Sequence, residues 1–371
     1  MRIAIDARMM GPLSTRGIGR YSEELVRALL EVAPEHRYVL LTRQPEASPF
    51  IGHLSVEHRL ADCPWYGVKE QLVMPRLLRE ARADIVHIPH WNVPLGFRGP
   101  LVTTIHDLLL MHQPASAKAS LRHPILSRLK QVGFRLSLRH AVSSSKIICV
   151  PTEDVAKDIA SHFRIPSERL LVTGEGVSTL PLPDTSRLPD APFFLIVGSA
   201  YPHKRIDTAL AAWRTLSELR PDTHLVVAGE EDGFMARHVA QVYQERLPRV
   251  HFLGRVSDAE LSGLYTKATL LLFPSSFEGF GLPPLEALSF GTPVVATDIP
   301  VLRETCPKDG VWFFQVGDAD GMIRAIDQAL ADGSSARSAA QRGWQEVRLR
   351  HTWRGAAERT LDAYVRARSS S

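Results

Sequence analysis

Glu278 and Glu286, with seven residues between them, bracket the turn Gly279-Phe280-Gly281-Leu282, and chemistry is densest in this stretch. Gly279 and Gly281 carry no Cβ, so the backbone there can approach a ligand closely. Pro283 and Pro284 suit the first turn of a helix, where a missing N–H costs nothing. Gly291 and Pro293 close that helix again. A helix N-terminus built this way is a seat for phosphate. Glu278 falls in the loop, at the mouth of such a seat. Glu286 falls about one turn into the helix, where a carboxylate can accept hydrogen bonds from ribose hydroxyls. Singly, each would serve as a solvated loop acid or as a partner of the helix dipole. Together they form a specific pattern.

Other residues stand at the ends of apolar runs, where ligands settle in open α/β sheets. Phe193–Val197 leads into Gly198-Ser199 and on to Lys204-Arg205. A lysine there can neutralise a diphosphate, or belong to a solvated basic pair. His106 and Asp107 follow Leu101–Ile105; they could meet a ligand, or be a loop histidine and a capping aspartate. Gly17-Ile18-Gly19 is expected in a loop at the entrance to a helix whose Ile18, Tyr21, Leu25, Ala28 and Leu29 share one face. It could present N–H groups to a phosphate or sugar, or be a plain tight turn. It lacks the third glycine of a dinucleotide fingerprint. His87 and His90 could suggest a metal, but Pro89 between them and the lack of a nearby acidic or thiol ligand argue against one.

These residues need a scaffold, and the chain spells one out. Strands are expected from Met1 to near Asp6 and at Tyr38–Leu41, Ile85–Ile88, Leu101–Ile105 and Ile147–Val150. A second series is expected at Phe193–Val197, Leu225–Ala228, His251–Leu253, Thr269–Phe273, Val294–Thr297 and Val311–Phe314, with helices between. Ser257 and Glu260 form a capping box for one of these helices. A length of 371 residues suits two domains, and the Pro-, Ser- and Thr-rich stretch 179–192 reads as the linker. Cys63, Cys149 and Cys306 read as buried thiols rather than a disulfide framework. No signal peptide precedes the first strand and no apolar run would span a bilayer, so the chain reads as soluble and cytoplasmic.

Charge is uneven. Residues 108–152 contain no acid but seven bases, Lys118, Arg122, Arg128, Lys130, Arg135, Arg139 and Lys146; without them the net charge of +4 becomes −3. A helix from Pro124 to His140 would carry Ile125, Leu129, Val132 and Leu136 as an apolar stripe edged with arginines. That suits the surface of an anionic membrane. No nucleic-acid module is recognisable.

The segments from Glu278 to Ala287 and from Gly291 to Ala296 resemble the E-x7-E element of the retaining glycosyltransferases of family 4 almost letter for letter. The resemblance implies the GT-B fold: two Rossmann-like doubly wound α/β domains facing a central cleft. Residues 1–182 would then bind the acceptor, 190–350 the nucleotide sugar, and a helix in 351–371 would cross back to the first domain. It implies catalytic roles for Glu278, His106 and Lys204, with His106 contacting the transferred sugar. Donor binding would fall to Gly17, Ile18, Gly19, Gly198, Ser199, Arg205, Arg255, Val256, Gly279, Phe280, Gly281, Leu282 and Glu286. Asp107 would line the acceptor side, and His87 and His90 would line the acceptor cleft or be simply structural. Gly254-Arg255-Val256 resembles the family's base-binding turn. Two departures stand out: Ile18 replaces a glycine, and Ser199 replaces an arginine whose part Arg205 would take.

The implied reaction moves a hexosyl group from a nucleoside diphosphate sugar to a glycan or lipid-linked acceptor with retention, by front-face attack or through Glu278 as nucleophile. No cofactor or metal is expected. GDP-mannose is the expected donor, with a UDP-sugar as the alternative. The resemblance also favours peripheral attachment to the inner face of the cell membrane through 108–152. Rival readings are a nucleotide-sugar epimerase and a non-catalytic nucleotide-sugar-binding or scaffold protein; a nicotinamide dehydrogenase lacks its fingerprint.

Overall fold

Runs such as Ile85–Ile88, Leu101–Thr104 and Leu270–Phe273 are buried at every position, because helices cover both faces of a parallel sheet. The computed structural model of the chain describes residues 1–11, 16–114, 124–331 and 334–369. The chain divides into two compact units. One comprises Met1–Leu108, His123–Gly176 and His351–Ser371, the other Leu109–Arg122 and Val177–Arg350.

The first unit runs β1 (Arg2–Asp6), α1 (Arg16–Val32), β2 (Arg37–Thr42), β3 (Val56–Leu60), α2 (Val68–Glu80), β4 (Ile85–Ile88) and β5 (Leu101–Thr104). The short helix α3 (Leu109–His112) clusters with the second unit. The first unit resumes with α4 (Pro124–Ser144), β6 (Ile147–Val150), α5 (Glu153–Phe163) and β7 (Leu170–Val172). Its strands pair in parallel in the order β3-β2-β1-β4-β5-β6-β7. Connections run outward in both directions from the centre, so the topological switch point lies between the carboxyl ends of β1 and β4.

The second unit runs β8 (Phe193–Val197), α6 (Ile206–Leu219), β9 (His224–Ala228), α7 (Gly233–Glu245), β10 (Val250–Gly254), α8 (Asp258–Lys267) and β11 (Leu270–Phe273). It continues with α9 (Leu282–Ser289), β12 (Val294–Thr297), α10 (Pro300–Thr305), β13 (Val311–Phe314), α11 (Ala319–Ala331) and α12 (Ser334–Arg350). The order is β10-β9-β8-β11-β12-β13, all parallel, with the switch point between β8 and β11. Alternate residues of each strand feed opposite faces. Leu195, Val226, Leu271 and Val294 join one core with Leu285 and Tyr265, while Phe194, Leu225, Leu272 and Val295 join another with Trp213 and Met322.

The last helix, α13 (Trp353–Ser369), belongs to the first unit. Its Ala357, Ala363, Tyr364 and Ala367 share a core with Tyr21, Leu25 and Leu29 of α1. The capping box forms: Ser257 Oγ accepts from the N–H of Glu260 at 3.2 Å, and Glu260 Oε2 from the N–H of Ser257 at 2.7 Å. The three cysteines are free and buried.

Two strands escaped the sequence reading. β3 (Val56-Glu-His-Arg-Leu60) and β7 are sheet edges, where polar residues and short length are tolerated. α1 begins at Arg16, so Gly17 and Gly19 lie inside its first turn rather than in a loop before it. Helix α4 forms, but Lys118, Arg122 and the side chains of Ile125, Arg128, Leu129 and Lys130 lie outside the described residues.

Candidate active site

The loops leaving β8 and β11 are tied together at the switch point of the second unit. The carbonyl of His203 accepts from the N–H of Ser276 at 2.7 Å, from Ser276 Oγ at 3.1 Å and from Ser275 Oγ at 3.2 Å. On the far side, Thr297 Oγ1 donates to the carbonyl of Ser275, and Thr305 Oγ1 donates to that of Phe280 at 3.0 Å. The backbone from 274 to 281 is thus held from two sides before any ligand arrives.

Within that frame Lys204 Nζ lies 2.6 Å from Glu278 Oε1, with side chains only 19% and 12% exposed. Nζ also stands 5.3 Å from the centre of the Phe273 ring. Desolvation strengthens this pair. It also makes the lysine costly to leave without an anion. Burial pushes the His203 imidazole down to about 4, with Lys204 adding to that and Glu278 opposing it. His203 is therefore neutral, and the charge of the turn belongs to Lys204 and Arg205.

Arg205 takes a left-handed conformation with φ 49° between the 3-10 turn 202–204 and α6. Its Nε donates to Asp207 Oδ1 at 3.2 Å. Nη2 reaches within 3.3 Å of where a Cβ on Gly317 would stand. Ser199 and Gly198 lie half-buried where β8 ends. Here the backbones crowd: a Cβ on Gly229, just past β9, would meet the Gly198 carbonyl oxygen at 1.9 Å.

Gly281 precedes α9 with φ 89°, which favours glycine. Of the helix's first residues, Pro283 and Pro284 bring no N–H, so the N-terminus offers fewer donors than an ordinary one. Glu286 is 6% exposed, and its Oε2 accepts from Tyr265 Oη at 2.9 Å. Phe280 is buried in the core, so only its backbone is available to a ligand. Arg255, exposed, and Val256, partly buried, follow the edge strand β10. Leu282 packs partly buried against the same core as Phe280.

In the first unit His106 is clamped at both ring nitrogens. Nδ1 lies 3.0 Å from Glu175 Oε1 and Nε2 lies 3.2 Å from the carbonyl oxygen of Pro89. The edge of Tyr21 closes one side at 4.6 Å. Burial alone would lower the His106 pKa. The Glu175 hydrogen bond and charge outweigh it, helped by Asp107 and Pro89, and the net shift is upward. Two acceptors facing two nitrogens favour the protonated ring.

His87 requires correction. It is fully buried, with Nδ1 2.7 Å from Tyr364 Oη and Nε2 2.9 Å from Thr104 Oγ1, so it ties α13 to the sheet and has no surface to offer a ligand. Burial pushes its pKa down to about 3, with His106 contributing. His90 is also buried, at the end of β4, and Asp107 is half-buried beside His106. Gly17 is exposed, Ile18 half-buried and Gly19 buried in the first turn of α1.

Sequence reasoning missed Glu175, Tyr265, Ser275 and Ser276. Glu175 carried a signal, a carboxylate flanked by Gly174 and Gly176 directly after a strand. The others read as ordinary polar residues. Among the described residues no group of three or more His, Cys, Asp or Glu could hold a metal, and no helix is long and apolar enough to cross a membrane.

Two family profiles divide the chain as the two sheets do. The profile described as Glycosyltransferase Family 4 matches residues 15–179, and that described as Glycosyl transferases group 1 matches residues 183–345. The chain belongs to glycosyltransferase family 4. Enzymes of this family retain anomeric configuration and use nucleotide-sugar donors. The chain is similar to the O-antigen chain mannosyltransferase RfbU of Salmonella typhimurium, 28% identical over 310 residues, covering 81% of this chain and 83% of the relative. It is equally similar to O-antigen chain mannosyltransferase B of Escherichia coli, 28% identical over 377 residues and covering 94% and 95%. Among solved structures, sucrose-phosphate synthase from Thermosynechococcus elongatus aligns over 100% of both chains with a TM-score of 0.78 and 20% identity. The likeness establishes the GT-B fold expected from the sequence.

Proposed function

We propose that this family 4 glycosyltransferase moves mannose from GDP-mannose to a glycan acceptor, using the Lys204–Glu278 site. The relatives at 28% identity are named mannosyltransferases, and that supports the choice of donor. The observation that carries the site is the ion pair itself, two oppositely charged groups 2.6 Å apart and mostly buried at the switch point. A diphosphate entering there takes Lys204 as its counter-charge and draws on Arg205 and the N-terminus of α9. Glu278, released from Lys204, then orients the hydroxyls of the sugar. Glu286, positioned by Tyr265, meets the ribose. For His106 the family pattern supports contact with the transferred sugar, and its upward-shifted pKa favours a positive ring there.

The bond from the anomeric carbon to the phosphate oxygen breaks, and the acceptor oxygen forms a bond on the same face. The departing phosphate oxygen takes the acceptor's proton, which leaves GDP and a retained glycosidic link. With Glu278 engaged by the hydroxyls of the sugar rather than by its anomeric carbon, we read retention as front-face. Lys204 and Arg205 supply the charge that a divalent cation would otherwise bring, and activity without added metal is expected.

The test is release of GDP from GDP-mannose in the presence of a chelator, set against UDP-glucose, UDP-galactose and UDP-N-acetylglucosamine. Turnover of GDP-mannose alone supports the reading. Turnover of a UDP-sugar alone transfers the assignment to the alternative donor class, and interconversion of a nucleotide sugar without release of nucleotide would mean an epimerase.

Membrane attachment is part of the same proposal. On α4, Val132 and Leu136 are each 54% exposed, and Arg135 and Arg139 are exposed near them. Apolar groups edged by cations favour an anionic bilayer surface. Sedimentation with phosphatidylglycerol vesicles, lost in Arg135→Glu/Arg139→Glu, is the expected outcome. Equal sedimentation with neutral vesicles contradicts it.

A further inference from the structure

At the switch point of the first unit an aromatic residue is displayed at some conformational cost. Tyr66 has φ 61°, an unfavourable value for a bulky side chain, and is 59% exposed. What holds it there is a buried carboxylate: Glu70 Oε2 accepts from the N–H of Tyr66 at 2.8 Å and from Asn92 Nδ2 at 2.6 Å. Glu70 is in turn neutralised by Arg8, whose Nη2 lies 2.5 Å from Glu70 Oε1 and 2.7 Å from Asp6 Oδ2. Asp6 ends β1 and Asn92 follows β4, so the network sits across the switch point, with Arg8, Asp6 and Glu70 all buried.

The displayed ring is backed by others. Tyr66 stacks on Trp91 with centroids 5.3 Å apart and planes 26° apart. Trp91 is fixed on its other sides by the edge of Phe134 at 4.6 Å and by His90 at 4.5 Å. His90 is 8% exposed, and its buried Nδ1 has no hydrogen-bond partner, while Nε2 stands 3.5 Å from Tyr66 Oη. Asp62, four residues before Tyr66, pairs at 3.2 Å with Lys69 in the first turn of α2, and both are exposed.

We propose that Tyr66, stacked on Trp91 beside His90, is a platform for one face of a pyranose ring, the sugar of the acceptor. This rests on the reading of the chain as a transferase to a glycan. A pyranose presents a C–H face that lies flat on an aromatic ring, and hydroxyls at its rim that need polar partners. The Tyr66 hydroxyl and His90 Nε2, 3.5 Å apart, supply polar groups at the edge of the ring. A hydrocarbon chain could use the ring but would leave those polar groups without partners. Tyr66 is the outer leaf of the stack, and the buried Arg8–Glu70 network fixes its position.

The experiment is saturation-transfer NMR with methyl α-D-mannopyranoside on the whole protein, as wild type, Tyr66→Ala and Tyr66→Phe, with thermal stabilisation by GDP recorded on the same samples. Tyr66 is exposed, so truncating it leaves the core intact. Transfer to ring protons in wild type and Tyr66→Phe, with affinity about tenfold weaker in Tyr66→Ala, is expected for loss of one stacked ring. Equal transfer to the mannoside in Tyr66→Ala overturns the platform, as does displacement of the mannoside by 1-octanol. The GDP response reads the second unit separately. If GDP fails to stabilise while the mannoside still depends on Tyr66, the donor reading falls and the platform stands.

Discussion

Lys204 lies 2.6 Å from Glu278 and is four-fifths buried, so it must exchange one anion for another rather than one anion for water. Lys204→Ala is expected to lower kcat by roughly 10²–10³, the scale for loss of a charge contact to a departing group. Retention of near wild-type turnover would remove Lys204 from the chemistry. His106 makes a prediction in pH. Its folded-state pKa is raised above the usual 6.5, so its pairing with Glu175 contributes stability that is complete below about pH 6.5. That contribution is lost as pH rises through the folded-state value. Glu175→Gln removes the largest of the raising influences and leaves burial opposed only by Asp107 and Pro89, so the NMR titration midpoint of His106 should fall relative to wild type. An unchanged midpoint would mean that Glu175 does not set it. Both lysine and histidine were legible from the ends of apolar runs. Their partners were legible only in part, because Glu175 lies 69 residues from His106 and nothing in a linear pattern joins them.

The elements explain why the site is preformed. Gly229 faces the Gly198 carbonyl so closely that any side chain must move one of two backbone segments. Gly229→Ala should therefore cost on the order of 3 kcal/mol by urea unfolding, and an effect under about 0.5 kcal/mol, the range of ordinary surface substitutions, would contradict the crowding. The central strands could be read to within a residue or so because burial on both faces leaves only apolar choices. β3 could not, because Glu57, His58 and Arg59 interrupt its apolar pattern at the sheet edge, and β7 could not, because it is only three residues long. Gly17 and Gly19 misled for a related reason: glycines at a helix entrance look the same whether they precede the first turn or form it. The Tyr66–Trp91 stack was invisible because its members come from connections after different strands, and only the fold brings them side by side.

At the scale of the molecule, the chain builds two doubly wound sheets and places its chemistry at the carboxyl ends of strands in each. The GT-B fold could be expected from the Glu278–Glu286 element, which lies in the second unit; the first unit carried no equally specific pattern. Its last helix, α13, returns to complete the first unit's core, with Tyr364 donating to or accepting from the buried His87. Removal of residues 351–371 should expose that core and unfold the first unit selectively. Limited proteolysis should then degrade 1–176 and spare 177–350, and equal resistance of both would contradict the packing. The most direct test of the donor site is thermal unfolding without added metal in the presence of GDP, UDP, ADP or dTDP, for wild type and Lys204→Ala. Binding to the folded state raises the transition by mass action. GDP should stabilise the wild type most, and Lys204→Ala should lose most of that shift. If none of the four nucleotides moves the transition at saturation, or if the variant responds as the wild type does, the donor site is not where Lys204 and Glu278 place it.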